Sequence, residues 1–120
     1  MEKVYFEKRE NVQYPDSKYG YAPEIKYPEY KFDDISQEKN EVYDMIRTSL
    51  YGYGLDKENF GTKNWNPLGD FIKPGQTVLI KPNWVEEKNE NKKGGLDCLI
   101  THASVIRCII DYVDIALNGN

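Results

Sequence analysis

Four residues of this chain have the types and spacing to recognise a ligand: Lys81, Asn83, Thr101 and His102. Lys81 offers a cation and Asn83 a directional amide, and both leave the end of the apolar run Val78-Leu79-Ile80. Thr101 and His102 open a second apolar stretch of helical period, and the free N–H groups at the start of a helix favour an anion. In open α/β sheets, strand ends and helix starts converge where ligands bind. The expectation is a site for a small anion or carboxylate, with Lys81 supplying charge and Asn83 orientation. In the plainer alternative Lys81 keeps a strand end soluble, Asn83 forms a turn and Thr101 caps a helix.

Other chemistry is thinly supported. His102 is the sole histidine, so it is the natural candidate for proton transfer. No serine or cysteine nucleophile motif and no second metal ligand at useful spacing accompanies it. Catalytic residues and cofactors therefore stay unassigned, and no metal site is expected. Cys98 and Cys108 lack the close spacing of a cluster motif, and Cys108 falls beside an apolar helix face, where burial is expected. Asp111 and Asp114 share one side of that helix and read as a solvated face. Gly52 and Gly54 follow a helix rather than a strand and lack a third glycine, so they form no dinucleotide fingerprint. Trp65, Trp84 and the tyrosines could stack on sugars or pack an arm onto a body.

These residues need elements to hold them. Gln76–Lys81 is the best strand, and its apolar residues are continuous rather than alternating, as in a strand buried on both faces of a parallel sheet. Pro82 ends its ladder. The polar loop from Pro82 to Ile100 leads to a helix that Thr101 caps and Asn118-Gly119 stops. Its apolar face is Val105, Ile106, Ile109, Ile110, Val113, Ala116 and Leu117. An earlier helix over about 36–51, capped by Asp34 or Ser36 and stopped by Gly52 and Gly54, carries the stripe Val42, Tyr43, Ile46 and Leu50. Residues 1–34 hold six of the ten tyrosines between prolines and read as an extended arm laid over a neighbouring surface. Val4-Tyr5-Phe6 is the one other candidate strand.

Strand, long loop and helix make an incomplete βαβ unit of a mostly parallel sheet, which needs a further parallel strand. Two strands alone are marginal. The sequence therefore implies an α/β domain over 35–120, truncated after its second helix. Its sheet would be completed by the rest of a longer parent chain or by a partner subunit. The alternative is a small self-contained α/β fold.

Composition narrows the class. The chain has 120 residues, 30% of them charged, and a net charge of −4. It carries no basic block of the kind that phosphate backbones require, so no nucleic-acid partner is expected. No apolar run approaches a membrane span, and the N-terminus lacks the apolar core of a signal peptide. With two cysteines and no export signal, the expected setting is cytoplasmic, with reduced thiols.

The stretch from Ile72 to Val85, with Lys81-Pro82-Asn83 directly after the strand, resembles domain-of-unknown-function family 362. Thr101-His102-Ala103-Ser104-Val105-Ile106-Arg107 and Asp111-Tyr112-Val113 carry the same resemblance. Asn64-Trp65-Asn66-Pro67-Leu68-Gly69-Asp70 is similar to a subgroup found near bacterial polysaccharide-biosynthesis genes. The resemblance covers roughly residues 35–120 and implies a further strand and a glycine- and aspartate-bearing turn after the second helix. It settles no activity. In outline the chain also resembles the N-terminal half of lactate-racemase-like enzymes, an analogy of fold alone. Two functions follow as expectations. One is an enzyme-like domain binding an anionic small molecule or cofactor at its strand-end loops. The other is a non-catalytic binding or interaction module that uses its tyrosine-rich arm.

Overall fold

Asn40 sets the start of the first helix. Its side-chain oxygen accepts from the Tyr43 amide at 3.1 Å, while its Nδ2 donates to the carbonyls of Tyr21 and Ala22. One buried amide thus caps the helix and ties the preceding segment to it. The computed structural model describes residues 2–91 and 95–119. In it, helix α1 runs Glu41–Tyr53 and helix α2 Ala103–Asn118, with short 3₁₀ turns at Ser17–Tyr19 and Lys57–Asn59. Part of the polar loop, residues 92–94, lies outside the described residues.

α1 starts later than expected because Ser36 spends its hydroxyl on a local turn, bonding the N–H and the carbonyl of Glu38. It also runs through Gly52. Gly54, at φ 107°, is the stop, in the left-handed conformation that glycine adopts without cost.

The expected α/β sheet is not present. Among the described residues there is no strand, only an isolated antiparallel bridge between Trp84 and Ile100. The bridge is flanked by hydrogen bonds from the Val85 amide to Leu99 O (3.0 Å) and from the Thr101 amide to Asn83 O (2.8 Å). A ladder needs a neighbour, and neither candidate strand has one. The segment around Val4–Phe6 lies along α1, and residues 77–82 form no regular element and make no backbone hydrogen bond among the described residues.

What replaces the sheet is an aromatic core between the helices. Tyr27, Tyr30, Tyr43, Trp65, Cys108, Tyr112 and Ile115 form it, with Phe32, Ile35, Ile46, Leu50, Phe60 and Leu68 packed around them. Trp65 meets Tyr112 edge-on at 5.4 Å and Phe60 at 5.0 Å, a geometry that the ring quadrupoles favour. Tyr27 and Tyr30 come from the N-terminal third, which therefore supplies core as well as cover. α2 turns Cys108, Asp111, Tyr112 and Ile115 inward and leaves Ile110 outside. No helix among the described residues is long and apolar enough to cross a membrane.

Candidate functional site

Of the four residues expected to form an anion site, the structure joins two directly. The Asn83 amide donates to the Thr101 hydroxyl at 3.0 Å, and the Thr101 amide returns to the Asn83 carbonyl. The long loop is thereby closed at its neck. Thr101 is spent on this closure, and His102 caps α2 instead. The imidazole Nδ1 accepts from the Ser104 amide at 3.2 Å and lies 2.8 Å from the Ser104 hydroxyl. The amides of Val105 and Ile106 both reach the His102 carbonyl. The first-turn amides of Ser104, Val105 and Ile106 are thus taken within the chain.

His102 is also held from the side. Tyr14 stacks on its ring at 4.1 Å, and Tyr21 meets it edge-on at 5.5 Å. Lys81 stands apart, exposed, with no hydrogen bond or ion pair among the described residues. No group of three or more His, Cys, Asp or Glu side chains able to hold a metal occurs among the described residues.

Sequence reasoning missed the densest polar cluster, which is buried. Glu29, only 1% exposed, takes both Nε (2.6 Å) and Nη2 (3.1 Å) of Arg47 and a hydrogen bond from the Tyr112 hydroxyl (2.9 Å). The Arg47 guanidinium in turn lies 4.3 Å from the centre of the Tyr27 ring and 4.5 Å from that of Phe60. A second group links Asp111 to the Tyr43 hydroxyl (2.9 Å) and to Arg107 Nε (3.0 Å). Arg107 continues to Tyr30 and Asp34. Asp111 is therefore buried rather than on a solvated face, while Asp114 pairs with Lys31 near the surface.

Burial raises the Asp111 carboxyl above its ordinary range, although Arg107 and Tyr43 pull it back. Desolvation also pushes the Tyr43 and Tyr112 phenols well up, and the neighbouring Cys108, Asp111 and Glu29 add to it. The Cys108 thiol is raised mainly by its burial. Hydroxyls and a thiol so held stay protonated, and their partners lie within the cluster. This arrangement ties arm to helices and holds no reactive group toward solvent. The six tyrosines of residues 1–34 were legible in the sequence, but hydroxyl–carboxylate pairing has no fixed sequence spacing.

The surface carries the other unusual feature. Leu79 is 89% exposed, and Phe71, Trp84 and Val85 are each more than half exposed. All four belong to the 71–85 stretch, which contains no acid and two lysines, Lys73 and Lys81. Comparison with models of known families, with curated proteins and with solved structures finds no match to this chain.

Proposed function

We propose that this chain is a non-catalytic docking unit, whose segment 76–82 is added as a strand to an open sheet supplied by another polypeptide segment. The observation that carries the reading is the state of residues 77–82. They form no helix, turn or bend, make no backbone hydrogen bond among the described residues, and hold Leu79 out to solvent. An apolar segment with free N–H and C=O groups is the element that strand addition uses. The continuous run Val78-Leu79-Ile80 offers apolar side chains to both faces of such a sheet. The supplier of that sheet is the rest of a longer parent chain or a partner subunit. With Lys73 and Lys81 as its only charges, the stretch fits an edge bearing acidic side chains.

Photocrosslinking tests this. Leu79 is replaced by a benzophenone amino acid, and the chain is irradiated in an extract of its source. The experiment is repeated with Ile80→Pro, which removes one N–H donor and keeps the segment apolar. A discrete adduct that disappears with proline supports strand addition. An adduct that survives proline reduces the contact to apolar adhesion, and the absence of any discrete adduct refutes docking at this segment.

A further inference from the structure

We infer that residues 2–10 are a detachable strap over α1, which opens and closes without unfolding the body. The inference is independent of docking at residues 76–82.

Backbone evidence comes first. Residues 2–16 make no backbone hydrogen bond among the described residues. A segment without a ladder is held by its side chains alone, and here all the holding contacts converge on α1. Glu7 accepts from the hydroxyls of Thr48 (2.7 Å) and Ser49 (3.2 Å). Arg9 pairs with Asp44 at 2.7 Å and donates to Thr48 at 3.1 Å. The Lys3 ammonium sits 4.7 Å from the centre of the Tyr53 ring. Of these groups only Asp44 touches the core cluster, accepting from the Tyr27 hydroxyl through its other oxygen at 2.7 Å, a bond that does not need the strap.

The strap behaves as one strand face laid on a helix. Tyr5, Glu7 and Arg9 turn toward α1, while Val4 and Phe6 stand 87% and 79% exposed. Its end is marked by Asn11 at φ 59°, a left-handed conformation that a non-glycine residue rarely holds and that suits a hinge. Beyond the hinge, Tyr14 is fixed on His102, so motion stops there.

Gly52 supplies the second observation. It lies inside α1, where glycine is costly. A Cβ there would fall 2.3 Å from the Tyr5 ring. The glycine makes room for the strap, and the helix gives up intrinsic stability for it. Beside this contact lies a cleft of about 410 Å³, walled by Tyr5 on the strap side and by Met45, Ile46, Leu50 and Tyr53 on α1. When the strap lifts, Tyr5 leaves that wall.

Limited trypsin digestion of the folded chain tests the inference, because Lys3, Lys8 and Arg9 all lie in the strap. Rates are normalised to those on a free peptide of residues 2–14. Near-UV circular dichroism follows the core around Trp65. The expected result is cleavage confined to the strap with the core signal intact. The rate should rise about two- to fivefold from low to high salt, the factor that an exposed ion pair is worth. Gly52→Ala should raise it at least as much while leaving the body as stable or more so. Strap cleavage in Gly52→Ala no faster than in the parent, or a core signal lost as the strap is cut, overturns the inference.

Discussion

Replacing Glu29 by Gln is the sharpest test of how this body is held. The substitution keeps shape and one acceptor oxygen, but it removes the charge facing Arg47 and sets an NH2 donor against Nη2; the Arg47 side chain is 8% exposed against 1% for Glu29. Leaving one member of a buried pair uncompensated costs about 3–5 kcal/mol. Here the faces of Tyr27 and Phe60 stay beside the guanidinium and recover about 1 kcal/mol. A Gln also still accepts from Arg47 and Tyr112. The expected loss is therefore about 2–4 kcal/mol, a large part of the stability of a chain this size. At roughly 4 °C per kcal/mol, Tm falls by about 8–16 °C. Urea unfolding followed by near-UV circular dichroism measures it, since Trp65 and Tyr112 lie in the same cluster. Replacing both partners together, Glu29→Leu with Arg47→Met, should cost less than Glu29→Gln alone, because the apolar pair leaves no charge stranded. A Glu29→Gln cost below about 1 kcal/mol, or a double variant worse than the single, would refute the reasoning.

His102→Ala removes the cap of α2 and the stacking partner of Tyr14 together. The expected loss is about 1–3 kcal/mol in a thermal melt, whereas His102→Asn, which retains a capping acceptor, should lose less. Stability should also fall on acidification. At Asp44, desolvation raises the carboxyl, but the Tyr27 hydroxyl and the Arg9 guanidinium outweigh it and hold it below its ordinary value. The same balance holds Asp34 down through Tyr30 and Arg107. Carboxyls lowered in the folded state bind fewer protons than in the unfolded chain. Their contribution is complete above the ordinary carboxylate range and disappears as pH falls through the lowered values. Asp111, raised by burial, has the opposite sign: its contribution is largest at low pH and diminishes as pH rises through the carboxylate range. The urea midpoint should drop below about pH 4, and Asp44→Asn should flatten that drop. An unchanged acid slope in Asp44→Asn would dismiss Asp44 as a source.

Local chemistry determined a good deal of this protein from its sequence. Apolar period placed both helices, since one face recurring every third or fourth residue is a property of the helix itself. Gly54 and Gly119 mark their ends for an equally local reason, the left-handed or otherwise unusual backbone that each adopts.

What the sequence did not contain is the partner of each element. A strand becomes a sheet only through a neighbour that is remote along the chain, and the segment around Val4–Phe6 goes to α1 rather than to residues 77–82. Caps moved by one or a few residues because Thr101 was claimed by Asn83 and Ser36 by its own turn. Asp111 read as solvated from helical spacing alone. It is buried because Tyr43, 68 positions earlier, and Arg107 meet it inside. The tyrosines of the N-terminal third read as cover. Tertiary packing made Tyr27 and Tyr30 core: Asp44 of α1 receives the Tyr27 hydroxyl, and Arg107 of α2 donates to that of Tyr30, so each phenol can bury its ring.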